Sequence, residues 1–256
     1  AEWIVSHVLE EGRWKLPLFE NRELTIDQIE SIDKLATRRA FREPLQYVLG
    51  NATFANLDLK VDARALIPRP ETEEFLELIV NSLERFPDRI LDLGTGSGAL
   101  ALGLAQKFPA SEVIAVDQSE DALALAKENA ERNELLHRVT FISGDWFETV
   151  EGVFDLIVSN PPYLDDSEWM ACEPEIRDHE PKNALVAELD DNAADVTRIM
   201  ESALSRMLPG GLLALETGED QHAILMEIAI KTGYSESRGM VDIRDRPRFF
   251  FARRAS

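Results

Sequence analysis

The chain has 256 residues, 45% of them hydrophobic and 29% charged, and a formal net charge of −21. That make-up suits an ordinary globular protein of one large or two small domains, and no apolar run approaches the roughly 20 residues of a membrane helix. A protein that grips a nucleic-acid backbone usually carries a basic face, whereas residues 1–60 hold eight Lys/Arg against ten Asp/Glu. A protein or small-molecule substrate fits this balance better. The opening "AEWIVSHVLEEGRW" lacks a basic segment followed by an apolar one, so it is no secretory signal, and Ala1 in place of Met suggests that the native start is missing. Cys172 is the only cysteine, which excludes an internal disulfide and a Cys-based metal site and makes the cytoplasm the default compartment.

In residues 1–44 apolar positions recur at helical spacing: Trp3, Ile4 and Val8, then Ile26, Ile29, Ile32, Leu35 and Ala36. The second stretch opens with the capping-box pattern Thr25-Ile26-Asp27-Gln28. This predicts a small helical domain, closed by Glu43-Pro44, on which the basic cluster Arg38-Arg39-Arg42 reads as a solvated face. Residues 45–66 switch to short β-like pieces, "LQYVLG", "ATF" and "LDLKVD", which predict a hairpin linking two domains. The stretch "LIPRPETEEFLELIVNSLERF" begins the third part, residues 67–256, as a helix with Pro70 near its start and acids in its first turn.

From residue 89 strand and helix alternate. "RILDLG" precedes a helical "GALALGLAQKF", and "EVIAVD" precedes "SEDALALAKENAERN" with Ser119 as N-cap. "RVTFISGD", "FDLIVSN", a long helix around 191–207 and "GLLALETG" follow. The strands are continuous apolar runs, as expected where helices cover both faces of a sheet. The fold class is therefore α/β, with a doubly wound, mostly parallel sheet. "SRGMVDIRD" and "PRFFFARR" leave no room for a crossover helix and predict an antiparallel pair at the sheet edge.

"LDLGTGSGAL" places Gly94, Thr95, Gly96, Ser97 and Gly98 between the first strand of this domain and its helix. Glycines there permit a tight turn and let backbone approach a ligand at the helix N-terminus. The run also satisfies G-x-G-x-x-A through Ala99, so a dinucleotide remains open. Asp117, about 20 residues on, stands where a carboxylate accepts hydrogen bonds from ribose hydroxyls. These residues support a nucleoside-type cofactor without fixing which one. In "SGDWF", Asp145 and Trp146 either hold an adenine or serve as a cap and a core aromatic.

"NPPY", Asn160-Pro161-Pro162-Tyr163, ends the fourth strand of the run. Two prolines refuse the β-ladder and the helix alike and make a rigid, extended piece. It lies where a doubly wound sheet binds ligands, outside the carboxyl ends of the strands. Methylating a planar nitrogen requires its N–H groups to be accepted and its lone pair aimed. The Asn160 side-chain oxygen and the Pro161 carbonyl can do this, the Pro161-Pro162 geometry fixes the aim, and Tyr163 can lie against a flat amide or base.

"NPPY" with "DLGTGSG" resembles the class I S-adenosylmethionine-dependent amino-methyltransferases. "REPLQYVLG", "LIPRPETEE", "ILDLGTGSGALAL", "GDWF", "VSNPPY" and "HEPKNALVA" together resemble the family of glutamine N-methyltransferases that modify peptide chain release factors. The resemblance runs over nearly the whole chain. It implies a Rossmann-like methyltransferase with a seven-stranded sheet, S-adenosylmethionine as cofactor with S-adenosylhomocysteine as product, no metal, and a Gln side-chain amide in a Gly-Gly-Gln loop as acceptor. It further implies that Gly94 to Gly98, Asp117, Asp145, Trp146 and Asn160 contact or flank the cofactor and that Asn160–Tyr163 hold the amide. Arg69 and Glu71 would line the site, although Arg69 can equally be a structural ion-pair partner. The helical domain and hairpin would dock the release factor on a monomer, without stable nucleic-acid binding and without a membrane. Two departures stand out, Asp190-Asp191-Asn192 and Asn56 where glycine is common; Asn tolerates the left-handed backbone a glycine would supply.

Three other activities compete. A DNA or RNA amino-methyltransferase fits the acidic balance poorly, a nucleotide-dependent oxidoreductase leaves "NPPY" without a task, and a non-catalytic cofactor-binding module does not need the tetrapeptide.

Overall fold

A computed structural model describes residues 1–19, 21–187 and 193–256. Asp190-Asp191-Asn192 lies outside the described residues. Helix α1 (Glu2–Leu9) is followed by a 3-10 segment, Arg13–Phe19, and by α2 (Ile26–Ala40). Thr25 and Gln28 make both bonds of the capping box predicted for α2. None of the α2 side chains is fully buried, and Ile26, Ile29 and nearby Phe41 face solvent. Arg38 is tied to Glu43, while Arg39 and Arg42 pair with Glu175 at 2.7 and 2.5 Å. The basic cluster is thus partly exposed but ion-paired, Arg38 locally and Arg39 and Arg42 to a distant part of the chain.

"LQYVL" is a helix, α3 (Leu45–Leu49), and not a strand. Pro44 starts it and Gly50, at φ +77, ends it, so five residues turn once and bury Tyr47 and Val48. Strands β1 (Asn51–Phe54) and β2 (Leu57–Lys60) then form an antiparallel hairpin. Its left-handed residue is Ala55, at φ +45, and not Asn56. Helix α4 (Pro70–Ser82) begins with Pro70 at its first turn, as its sequence predicts.

The main sheet comprises β3 (Arg89–Leu93), β4 (Glu112–Asp117), β5 (Val139–Ser143), β6 (Phe154–Ser159), β7 (Met207–Glu216), β8 (Glu236–Val241) and β9 (Pro247–Arg253). Their spatial order is β5-β4-β3-β6-β7-β9-β8, with β9 antiparallel to both of its neighbours and the other contacts parallel. Alternation along each strand divides the core in two. Ile90, Phe249 and Phe251 face one cluster, with Phe54, Leu57 and Leu59 of the hairpin, Phe75 of α4 and Leu100 of α5 (Ala99–Lys107). Two short helices, α7 (Asp166–Ala171) and α8 (Pro174–Arg177), follow β6; Leu91 and Phe250 face the other cluster, with α9 (Ala194–Ala203) and α10 (His222–Thr232). Phe75 and Phe249 stack with ring centres 5.4 Å apart. α9 is shorter than the predicted 191–207: it stops at Ala203, a 3-10 turn occupies Leu204–Arg206, and the strand starts at Met207.

Helix α6 (Glu120–Arg132), capped by Ser119 as expected, packs on the hairpin. Asn129 Oδ1 accepts the Lys60 N–H at 2.7 Å while its Nδ2 donates to the Lys60 carbonyl at 3.1 Å and to the Ser97 carbonyl at 2.9 Å. Asn133, just past the helix, repeats the exchange with the Asp58 backbone at 3.1 and 3.0 Å. Four helical residues rise ~6 Å and two strand residues ~6.6 Å, so two asparagines match alternate peptide groups of β2.

Candidate active site

In a sheet of this order the ligand crevice opens where neighbouring crossovers diverge, between β3 and β6. The Ser159 hydroxyl donates to the Leu93 carbonyl at 2.7 Å and ties the two strand ends together there. The glycine loop leaves one strand and Asn160 the other. One cavity is walled by Gly94, Thr95, Gly96, Ser97, Asp117, Asp145, Trp146, Asn160, Pro162 and Arg69, all of them expected from sequence. Segment 64–68, where the linker meets the third part, and segment 181–186 close its other sides.

The loop geometry shows why glycine is needed. Gly94 has φ +69 and a Cβ there would stand 3.4 Å from the Trp146 ring; at Gly98, φ +85, it would stand 3.1 Å from the Ala126 Cβ. Gly98 therefore lets α5 start against α6, whereas Gly94 is called for by its left-handed backbone, a Cβ there meeting the indole only in ordinary contact; Trp146 itself sits on a left-handed backbone at φ +46. The indole does both things its sequence allowed, lining the cavity and packing against the second core. Asp145 accepts Arg198 Nη2 at 2.6 Å.

Asp117 accepts the Gly96 N–H at 2.8 Å and the Ser119 N–H at 2.9 Å, and burial raises its carboxyl above the usual range against these two bonds. Asp92, also in the cavity wall, went unnoticed in the sequence because it reads as one residue of an apolar strand. Its Oδ2 accepts the Thr95 hydroxyl at 2.7 Å and the Ala101 N–H at 3.1 Å, and its Oδ1 is buried with no partner among the described residues. Burial pushes the carboxyl up to about 7, against the hydrogen bonds and with the Asp117 charge. An orphaned carboxylate oxygen in a cavity calls for a donor or a cation. The residues therefore fit a nucleoside that carries positive charge, with the Trp146 indole and the Asp117 and Asp92 carboxylates in the wall of one cavity.

Four expected residues do not line the cavity: Gly98, Pro161, Tyr163 and Glu71. Pro161 is buried. Tyr163 lies under the Arg248 guanidinium, 5.3 Å from its ring centre, and burial pushes its hydroxyl up to about 12. Its N–H and that of Leu164 both donate to the Leu185 carbonyl, which pins the tetrapeptide to the 181–186 segment. Glu71 is taken by Arg246 at 2.9 Å. Arg69 does both things left open for it: it borders the cavity and pairs at 2.6 Å with Glu180, a buried carboxylate that also accepts the Ile67 N–H. Thr72, in the wall beside Asn160, was also missed.

This sheet order, with a glycine loop and an acidic residue ending the next strand, defines a Rossmann-like methyltransferase. Solved structures agree on the fold. They include a methyltransferase from Pyrococcus furiosus (TM-score 0.58, 21% identity, 88% of this chain and 100% of that one). A T. thermophilus 16S rRNA methyltransferase in complex with AdoMet and guanosine gives a TM-score of 0.57 at 22% identity over 80% of this chain and 49% of that one. Residues 73–174 match the family described as Methyltransferase small domain, and residues 1–50 match PrmC N-terminal domain. The release factor glutamine methyltransferase of Escherichia coli is 38% identical over 99% of this chain and 91% of its own, and that of Deinococcus radiodurans 39% over 100% and 90%. The chain belongs to the release factor glutamine methyltransferase family.

Proposed function

We propose that the protein transfers the methyl group of S-adenosylmethionine to the side-chain amide nitrogen of the Gln in the Gly-Gly-Gln loop of peptide chain release factors. One observation carries the reading: Asn160 of "NPPY" and the glycine loop wall a single cavity, in a chain with family-level identity from end to end. When bound, S-adenosylmethionine supplies an electrophilic methyl and leaves as S-adenosylhomocysteine. The Gly94–Gly98 loop presents backbone to it, Asp117 accepts its ribose hydroxyls, and Asp145 and Trp146 hold its adenine. Asn160 Oδ1 and the Pro161 carbonyl accept the two amide N–H groups and set the nitrogen lone pair in line with the methyl. The nitrogen, acidified once it carries the methyl, would give its proton to solvent without a strong base. Residues 1–44 and the hairpin dock the release factor. The exposed Ile26, Ile29 and Phe41 support such a contact surface. The reaction belongs to the cytoplasm, and the protein acts there as a monomer with no metal. No helix among the described residues is long and apolar enough to cross a membrane.

The test is transfer of labelled methyl to a purified release factor, alongside the same factor with its loop Gln replaced, duplex DNA and ribosomal RNA. Label on the unaltered factor alone supports the reading, and label on nucleic acid alone overturns it. Asn160→Ala is expected to lower the rate by about 100-fold or more while leaving cofactor affinity within about twofold.

A further inference from the structure

Thr72 and Glu216 lie 144 positions apart in the chain, yet the Thr72 hydroxyl donates to Glu216 Oε2 at 2.8 Å. Thr72 belongs to the first turn of α4 and Glu216 ends β7; both are buried, at 5% and 1% exposure. Asn160 Nδ2 stands 3.5 Å from Thr72 Oγ1. We infer that Thr72 and Glu216 are positioning residues for Asn160, fixing which end of its amide faces the methyl acceptor. This rests on the reading above, in which Asn160 accepts the Gln amide.

The argument is one of donors and acceptors. A threonine hydroxyl has one proton. When the Glu216 carboxylate takes it, Thr72 Oγ1 can only accept, so it draws the Asn160 nitrogen and would repel the Asn160 oxygen. Asn160 Oδ1 is then turned away from Thr72 and towards the cavity, where an amide N–H needs an acceptor. An unbiased asparagine spends part of its time reversed and presents its own N–H groups to the substrate's, which opposes binding in the reactive pose.

The groups around Glu216 bear on whether it is ionised. Arg248 of β9 and Arg69 before α4 favour the carboxylate, Glu71 opposes it, and Tyr163 is neutral. Glu180 takes Arg69 and Arg246 takes Glu71, which dampens both. Burial dominates and pushes Glu216 up to about 7, against the Thr72 bond and Arg248. A protonated Glu216 donates to Thr72 Oγ1 instead and frees the threonine proton for Asn160 Oδ1. The amide then reverses. Loss of turnover on the acid side of neutrality follows from the same chain of three residues.

The experiment measures kcat against pH at saturating S-adenosylmethionine, with a release factor as acceptor, for the unaltered protein, Thr72→Val, Thr72→Ser and Glu216→Gln. Saturation removes any pH effect on cofactor binding from kcat. The unaltered protein shows a fall in kcat below about pH 7. Thr72→Val, of nearly the same shape, loses about 10- to 100-fold in kcat, keeps its cofactor Kd within about twofold, and no longer shows the acid fall. Thr72→Ser restores most of the rate and the acid fall with it. Glu216→Gln, which has no proton to gain, shows no acid fall. The inference is overturned if the unaltered protein has no acid fall, if Thr72→Val stays within about twofold of its kcat, or if either Thr72→Val or Glu216→Gln keeps the fall. Should Thr72→Val fail to fold, as judged by circular dichroism, the Glu216→Gln profile decides alone. Absence of transfer by the unaltered protein defeats the functional reading and this inference together; normal transfer with unresponsive variants defeats this one only.

Discussion

At the residue scale the charge state of Asp92 decides how the cavity greets a cation. Its folded pKa, about 7, is raised above the ~3.9 of an unfolded chain, so folding favours the neutral acid. The stability this group contributes is fully present below the unfolded value and is lost as pH climbs through about 7. A cationic cofactor has the opposite preference and binds the carboxylate. S-Adenosylmethionine affinity is therefore expected to rise as pH increases towards about 7, by up to about tenfold per unit, and then to level off. Titration calorimetry across neutrality checks this. Asp92→Asn should flatten the profile, and an unchanged slope would remove Asp92 from the cofactor site. The cavity-wall residues read in advance, Gly94 to Ser97, Asp117 and Asn160, carry their signal in local motifs and their spacing. Asp92 is hidden in an apolar strand although its partners Thr95 and Ala101 are three and nine residues on. Thr72 and Glu180, inside quoted motifs, gain their roles only from partners brought in by the fold, 144 positions away for Thr72 and Glu216 and 111 for Glu180 and Arg69.

Among the elements, the join between α6 and β2 bears most directly on function. Asn129 is fully buried and serves the Lys60 peptide group on both sides as well as the Ser97 carbonyl of the glycine loop. Asn129→Ala leaves one N–H and two carbonyls without partners, which is expected to cost about 2–4 kcal/mol in urea unfolding and to weaken cofactor binding. Asn133→Ala, at an exposed position, should cost about 1 kcal/mol or less. Equal losses would show that the pair acts only as packing. The strands were legible because their apolar runs and period-two faces are local patterns, and α4 and α6 because Pro70 and Ser119 mark their starts. The helix α3 was not: in five residues a single turn and a short strand present the same apolar side chains, and the choice falls to Pro44 and Gly50 at its ends. The division of "RFFFA" between two cores also became clear only with β9 in place.

For the molecule as a whole, the ion pairs from Arg39 and Arg42 to Glu175 set where the N-terminal helices stand. Glu175 belongs to α8 (Pro174–Arg177), which follows the tetrapeptide in the chain, so the N-terminal helices and the segment beyond "NPPY" are tied to each other. Partly exposed pairs add little to global stability. Glu175→Gln is accordingly expected to leave the melting temperature nearly unchanged, to raise amide exchange in α2 but not in β3, and to raise the KM for the release factor more than it lowers kcat. Unchanged exchange and KM together would show that the pairs hold nothing in place. A different consequence follows from the place of β9 between β7 and β8. During synthesis β7 emerges well before the strand that must pair with it, and at about 5–20 residues per second the delay lasts on the order of seconds. Through that interval the wholly apolar run Leu212–Leu215 presents an open edge of the kind that captures other chains. The growing polypeptide is thus most prone to aggregate late, when nearly all of it has been made, and a pause in translation between β7 and β9 would lengthen that exposure.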